Sequence, residues 1–192
     1  MRRLYAIAIA AVVTLSVGAC SSSHPASTSG ASPAESAPSG DIPDSTVYVA
    51  YRTASGHAEV KVPQGWARTA DATGVVFTDK LNSIRIQETA LSAAPTVASA
   101  RAVDAPKIQS TGSNVQIGDI STVTRKAGDA VEIKYTADSP PDTVTGKVVH
   151  DSVERYEFFR GGTEIVLTLS GPVGADNVDP WRIVTDSLAW SS

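Results

Sequence analysis

The sequence is poor in cysteine, histidine and aromatic residues, and the shortage of cysteine excludes several kinds of site. Its 192 residues contain one cysteine, Cys20, so an internal disulfide framework, a thiolate zinc site and a cysteine nucleophile in the rest of the chain are excluded. Aromatic residues make up 6% of the chain, although a hydrophobic content of 42% is enough for the core of one domain. Only three histidines are present, which leaves few candidates for proton transfer or metal binding.

Basic residues are also in the minority. Sixteen Lys and Arg stand against 20 Asp and Glu, which gives a net charge of −4 at pH 7. Nowhere do more than two basic residues follow one another. We therefore expect no nucleic-acid partner and no electrostatic attachment to anionic lipid.

Residues 1–19 have the pattern of a signal peptide. Arg2 and Arg3 provide the positive start, and a nearly uninterrupted apolar stretch runs from Leu4 to Val17. This stretch is shorter than the roughly 20 apolar residues of a transmembrane helix. It ends at small residues rather than at a stop-transfer pattern, so the sequence predicts export followed by removal of the signal.

The residues before Cys20 resemble the lipobox of bacterial lipoproteins, because Val17, Gly18, Ala19 and Cys20 stand in the order aliphatic, small, small, cysteine. The resemblance implies cleavage before Cys20, a diacylglyceryl thioether on its sulfur and usually a third acyl chain, such as palmitate, on its new amino group. Each buried methylene contributes roughly 0.8 kcal/mol, so two or more chains anchor a protein stably. The predicted location is the extracytoplasmic face of the cell membrane. A secreted protein with a chance cysteine is the alternative.

Residues 20–45 are predicted to form a disordered tether that begins with the lipidated cysteine. Between Ser21 and Gly40 almost every residue is Ser, Pro, Ala, Gly or Thr, with His24 and Glu35 as the exceptions. Such a composition buries too little apolar surface to offset the entropy of ordering the chain. Ser and Thr beside Pro are also typical of O-glycosylated segments.

Residues 46–192 are predicted to form one α+β domain on a twisted antiparallel β-sheet. Alternation of apolar and polar residues, which is typical of strands with one solvent-facing side, occurs at residues 58–62, 84–87, 115–117 and 131–135. The segment from Tyr156 to Leu169 predicts a β-hairpin, because the pair Gly161-Gly162 supplies the positive φ angles of a tight turn. Residues 147–154 are expected to extend its first strand, with a β-bulge near Ser152 where the apolar phase shifts.

Two short helices are predicted beside these strands. Asp179 is expected to cap the later one, with Pro180 at its first helical position. Three residues form one apolar stripe of that helix and should face the sheet: Trp181, Val184 and Leu188. The alanine-rich segment from Pro95 to Val103 predicts the earlier helix, which Pro106 ends. Strands combined with a few helices indicate one sheet with helices on its faces.

A second resemblance covers roughly residues 47–190. The run from Val62 to Trp66 after an amphipathic strand is similar to the proline-glycine-tryptophan corner of the PsbP and Ran-binding Mog superfamily, and the run from Phe77 to Asp79 is similar to it as well. With its signal and tether, the chain resembles small mycobacterial cell-envelope lipoproteins of the LpqN and LpqT kind. The resemblance implies a PsbP/Mog-like α/β/α sandwich with a non-catalytic docking or assembly role, and it carries over no functional residue.

The few candidates for chemistry lie at two places in the predicted domain. His57 is expected in an exposed turn. If their strand is regular, His150, Ser152 and Glu154 share one face and Asp151 lies on the other, a set that would allow a metal site or a proton relay. A polar solvent face is the simpler interpretation. The sequence lacks the motifs of serine hydrolases, zinc proteases and nucleotide-binding proteins, so no cofactor is expected.

Carboxylate pairs and tryptophans have ordinary structural interpretations. Asp176 with Asp179, and Glu154 with Glu157, are spaced like helix caps or solvated strand residues. The three tryptophans are predicted to be core and cap residues rather than a platform for stacking sugars: Trp66, Trp181 and Trp190.

Two functional classes fit this sequence. The first is a non-enzymatic module that holds a protein partner or an envelope component near the membrane. The second is a carrier of a small apolar ligand or lipid, and a closed apolar cavity of several hundred Å³ would favour it. A hydrolase is a third class, which a cluster of Ser, His and carboxylate in three dimensions would favour.

Overall fold

The computed structural model describes residues 39–191. The predicted signal, the lipobox with Cys20, His24 and most of the tether lie outside this range. Within residues 39–191 no helix is both long enough and apolar enough to span a membrane.

Ten strands are present in the described residues, and they form two antiparallel sheets. Three strands form the smaller sheet: β1 (Tyr48–Arg52), β2 (Ala58–Pro63) and β10 (Ala189–Trp190). Seven form the larger sheet: β3 (Ala67–Asp71), β4 (Gly74–Asp79), β5 (Asn82–Ala90), β6 (Ser113–Arg125), β7 (Gly128–Asp138), β8 (His150–Arg160) and β9 (Thr163–Pro172). The strand order is β1-β2-β10 in the smaller sheet and β3-β4-β5-β9-β8-β7-β6 in the larger.

Helical segments cover both faces of the larger sheet. One segment consists of α1 (Val97–Ser99), a π-helical turn (Ala100–Asp104) and α2 (Ala105–Thr111), and it packs on β6 and β7. The opposite face packs on the smaller sheet and on α3 (Val178–Asp186). The larger sheet is therefore the middle layer of the domain.

Strand alternation decides which side chains enter the main core. In β9, Ile165, Leu167 and Leu169 are buried in the core beneath α3 and the smaller sheet. Glu164 and Thr168 alternate with them and lie on the other face of the sheet. The same alternation in β5 and β8 places polar residues together on the face next to α2.

The predicted α+β fold with an antiparallel sheet is confirmed. The four alternating segments lie in β2, β5, β6 and β7. The predicted hairpin is formed by β8 and β9, and its turn residues Gly161 and Gly162 have φ angles of 58° and 84°. One difference is that β1, β2 and β10 form a separate small sheet.

The predicted bulge near Ser152 is wrong. β8 pairs with β7 and β9 without a register shift, and it begins at His150, so residues 147–149 do not extend it. The apolar phase changes because this central strand is buried on both faces, with Val153 on one side and Tyr156 on the other. The register shifts of the larger sheet occur between β6 and β7 instead.

Both predicted helix boundaries that depended on proline are wrong. Pro106 lies inside the helical segment 97–111. The N–H of Ala105 donates to the carbonyl of Ala100, five residues back, so the hydrogen-bond pattern changes where Pro106 contributes no N–H group. In α3, Asn177 rather than Asp179 is the N-cap residue, which places Pro180 third in the helix.

Part of the segment assigned to the tether packs against the domain. Ile42 is buried, and its N–H donates to Oδ1 of Asn177 at 2.9 Å. The carbonyl of Gly40 accepts hydrogen bonds from Nδ2 of Asn82 at 2.8 Å and Nδ2 of Asn177 at 3.0 Å. The Asn177 side chain therefore links residues 40–42 to the start of α3 through two hydrogen bonds.

Candidate binding cleft

A cleft of about 580 Å³ lies between α2 and the face of the larger sheet that is turned away from the main core. We call it the sheet–helix cleft. Side chains of β5, β8 and β9 form its floor, and α2 forms one wall. Its charged lining residues are Arg85, Asp104, Lys107, Asp138, Asp151, Arg155 and Glu164.

Strand register brings the floor residues together. Arg85 of β5 lies opposite Thr168 of β9, and Thr168 lies opposite Arg155 of β8. Glu164 lies opposite Thr89 of β5. Because directly opposed residues of antiparallel strands have Cβ atoms about 5 Å apart on the same face, these polar groups form rows across the floor.

A buried ion pair lies in the centre of this face. Nε of Arg155 donates to Oε1 of Glu157 at 2.8 Å, and the Glu157 side chain is 1% exposed. Oε2 of Glu157 has no hydrogen-bond partner among the described residues. Burial raises the pKa of Glu157, and the Arg155 guanidinium opposes that rise. The two terminal nitrogens of Arg155 make no hydrogen bond within residues 39–191, so they are available to a ligand in the cleft.

Two further carboxylate side chains, those of Glu164 and Asp151, are largely buried. Glu164 is 8% exposed and makes no side-chain hydrogen bond within the described range. Burial and the nearby charges of Glu157 and Asp104 raise the pKa of Glu164 to about 7, although the positive charge of Arg155 acts to lower it. Asp151 is also 8% exposed, and its Oδ1 has no partner.

Burial also raises the pKa of Asp151 to about 6. The Asp138 carboxylate adds to this rise, and His150 opposes it. An unsatisfied buried polar group typically costs 1–3 kcal/mol, so most such groups in proteins find a partner. Perturbed carboxyl groups in a concave site are therefore candidates for ligand contact.

Replacing Glu164 by glutamine should stabilise the domain above neutral pH. The folded-state pKa of Glu164, about 7, exceeds its ordinary value of 4.5. The folded protein thus holds more protons than the unfolded chain between these values, and stability falls as pH rises through this window. E164Q should gain up to about 3 kcal/mol of unfolding free energy at pH 8 and almost none at pH 4.

Urea unfolding at pH 4 and pH 8 measures this difference. The exposed Glu59 of β2 offers a control, because E59Q makes the same change of charge outside the cleft. Equal pH profiles for E164Q and the unsubstituted chain would show that Glu164 is not perturbed.

The cleft has the volume of a ligand pocket, and its lining combines charged and polar side chains with apolar ones such as Ile108, Val153 and Val166. Besides the charged groups, four uncharged polar side chains lie on its floor: Gln87, Thr89, Thr168 and Ser170. Within residues 39–191 no three His, Asp or Glu side chains are close enough to hold one metal ion. The lining therefore suits an organic ligand that has both polar and apolar groups.

The predicted set on β8 is brought together only in part. His150, Ser152 and Glu154 do share one face, and Asp151 lies on the other. Nδ1 of His150, however, contacts Oδ1 of Asp138 at 2.8 Å. Glu154 instead contacts Nζ of Lys134 at 3.3 Å and accepts the Tyr156 hydroxyl at 2.6 Å. These ion pairs are cross-strand or local, and they form neither a metal site nor a proton relay.

A serine, a histidine and a carboxylate meet elsewhere, but not as a catalytic triad. The exposed turn residue His57 contacts Glu88 through Nδ1, and the hydroxyl of Ser55 donates to the same carboxylate. In a triad the serine hydroxyl is hydrogen-bonded to the other imidazole nitrogen, which acts as its base. Since Ser55 is held by Glu88 instead, the cluster gives the hydrolase interpretation no support.

The structure agrees with the predicted roles of the tryptophans, but it changes the interpretation of Glu157. Trp181 is buried in the main core, and Trp66 and Trp190 pack against it, as predicted. Asp176 and Asp179 are exposed. The interpretation of Glu157 as a solvated residue is wrong, because β8 is a central strand whose second face lies beneath the helical segment.

Sequence reasoning therefore missed Arg155, Glu157 and Glu164 as site residues. A signal was present for Glu157, which lies between the apolar residues Tyr156 and Phe158 in the first arm of the strongest hairpin. Because β8 is a central strand with both faces covered in its middle, a charged residue at that place, such as Glu157, is buried.

The antiparallel layers of this domain have a counterpart among the solved structures. The chain is similar to the cyanobacterial PsbP protein CyanoP from Synechocystis, with 14% sequence identity, a TM-score of 0.52, and coverage of 79% of this chain and 98% of that one. This likeness confirms the expected fold. No protein-family model matches the chain, and no curated protein matches its sequence.

Two other solved structures are similar at lower scores. LpqN of Mycobacterium tuberculosis, described as involved in cell envelope biogenesis, has 14% identity and a TM-score of 0.46, with coverage of 78% of this chain and 93% of that one. A protein of Bacteroides thetaiotaomicron has 11% identity and a TM-score of 0.49, with coverage of 74% of this chain and 48% of that one. The chain thus spans about half the length of the Bacteroides protein.

Proposed function

We propose that this chain is a lipid-anchored, extracytoplasmic binding module of an actinobacterial cell envelope. In this proposal Cys20 carries the lipid, and the sheet–helix cleft holds a partner. The module is non-enzymatic and acts by keeping its partner close to the membrane.

The observation that carries the proposal is the state of the carboxyl groups in the cleft. Asp151 and Glu164 are more than nine-tenths buried. Oδ1 of Asp151 has no hydrogen-bond partner within residues 39–191, and a bound molecule would supply one. The sequence from Val17 to Cys20 supports the anchored location. The charged lining disfavours the carrier of an apolar ligand, because burying an alkyl chain against unpaired carboxyl groups is unfavourable.

Site-specific photocrosslinking in living cells tests the binding role. A photoreactive amino acid at Gln87 lies on the cleft floor, and one at the exposed Glu59 of β2 lies outside it. We expect a discrete protein adduct from position 87 and none of that mass from position 59. Identical adducts from both positions, or none from position 87, would refute the cleft as a docking site. A lipid adduct at position 87 would favour the carrier.

A further inference from the structure

The carboxyl groups of the sheet–helix cleft are spread along it. Glu164 lies opposite Phe159, which is eight residues beyond Asp151 on β8. At about 3.3 Å per residue, the two carboxyl groups are separated by roughly 26 Å along the strand direction. A ligand that reaches both is elongated, and an extended peptide of about eight residues has this length.

The charges of the cleft leave an acidic surplus. Two of its cations are engaged, because Arg85 donates to both carboxylate oxygens of Asp71 at 2.8 and 3.0 Å, and Arg155 pairs with Glu157. Asp138 contacts His150. Among the remaining charged residues of the lining, Lys107 is the one cation, and three residues carry carboxyl groups: Asp104, Asp151 and Glu164. Charge complementarity therefore favours a cationic occupant.

The uncharged part of the floor suits a peptide backbone. Between the two ends lie the side chains of Gln87, Thr168 and Ser170, which offer both donors and acceptors. The terminal nitrogens of Arg155 add donors for carbonyl oxygens. An alkyl polyamine has no carbonyl groups and would leave these donors without partners.

We propose that the sheet–helix cleft binds an extended segment of a protein partner that carries basic side chains, with cationic groups near Glu164 and Asp151. This rests on the proposed docking function and names the chemistry of its partner. One basic residue contacts each end of the cleft, and the backbone between them lies along β8 and β9.

Binding of such a segment is linked to proton release. A cation beside Glu164 favours its ionised form, which Glu157 and Asp104 disfavour and Arg155 favours. Asp151 faces the opposing effects of Asp138 and His150. The affinity for the basic segment should therefore rise as pH increases from 5.5 to 8. At higher pH a smaller fraction of Glu164 and Asp151 is protonated, so fewer protons have to be released on binding.

Titration of the full chain in detergent micelles with synthetic octapeptides tests this inference. The peptides are acetylated, amidated and alternate Ser with Lys, Glu or Gln. At pH 8 we expect saturable binding of the Lys peptide alone. E164Q and D151N should each weaken it about tenfold, whereas the matched exposed-site variants E59Q and D44N should change it by less than about twofold.

The pH series separates specific from general charge attraction. Between pH 5.5 and 8 the unsubstituted chain should gain about tenfold in affinity, and E164Q should gain less. No saturable binding of the Lys peptide, or equal effects of E164Q and E59Q, would overturn the inference. So would spermidine binding as tightly as the Lys peptide. If position 87 still yields a protein adduct in cells, the docking function survives and only the basic-peptide chemistry fails.

Discussion

Replacing Cys20 by alanine should transfer the protein from the membrane fraction to the soluble fraction or stall it as an unprocessed precursor. The proposed thioether has no substitute, since Cys20 is the only cysteine of the chain. Two or more acyl chains provide stable anchoring that a single chain does not. The domain should remain folded, because the described fold from residue 39 onward does not include Cys20.

Cell fractionation and metabolic labelling with an alkyne fatty acid measure this result. Ser22→Ala is the matched control, because it changes a neighbouring residue outside the lipobox pattern, and it should stay labelled and membrane-bound. An unsubstituted protein that takes up no label would overturn the lipoprotein assignment. A C20A variant that stays uncleaved, folded and membrane-bound would indicate a helical anchor instead.

Replacing Arg155 by methionine should destabilise the domain by about 3 kcal/mol at pH 8, because it leaves the Glu157 carboxylate buried without its counter-ion. Glu157 is 1% exposed, and Nε of Arg155 is its hydrogen-bond donor at 2.8 Å. The loss should be smaller at pH 5, since burial already raises the pKa of Glu157 and protonation removes the unpaired charge. Urea unfolding at both pH values measures the effect.

Two further variants give this experiment its controls. Arg160 is exposed on the same strand, so Arg160→Met should change stability by less than about 0.5 kcal/mol. The double variant R155M/E157M removes both charges, and it should recover most of the lost stability because apolar replacements of a buried pair are often neutral or better. If R155M and R160M are equally stable, the buried ion pair does not support the fold.

The two buried-charge experiments have opposite expected signs for a physical reason. Arg155 compensates a buried carboxylate, so its removal destabilises the domain. Burial raises the pKa of Glu164 to about 7, so neutralising it should stabilise the domain above neutral pH. A residue whose charge lowers stability is more easily explained by ligand binding than by folding.

Local sequence patterns predicted the strands well. Alternating residues identified β2, β5, β6 and β7, and Gly161-Gly162 identified the β8–β9 hairpin, because side-chain periodicity and positive φ angles are local properties. Proline was a poorer guide. Pro106 lies within a helical segment because a π-helical turn shifts the hydrogen-bond pattern just before it.

The candidate site was far less accessible to sequence reasoning. His150, Ser152 and Glu154 were correctly placed on one face, but their ion-pair partners, Asp138 and Lys134, lie on the neighbouring strand. Glu164 is a candidate ligand-binding residue because β9 lies between β5 and β8, with the helical segment on the same face of the sheet. Nothing in the spacing of these residues along the chain encodes that order.

The sequence by itself determined the class of fold through the alternation within each strand, and the run from Val17 to Cys20 predicts the location of the protein. Both depend on short contiguous patterns. Only the tertiary structure decided which carboxyl groups are buried. Burial depends on which strands become neighbours and on which face a helix covers, and these are set by contacts between residues far apart in the chain.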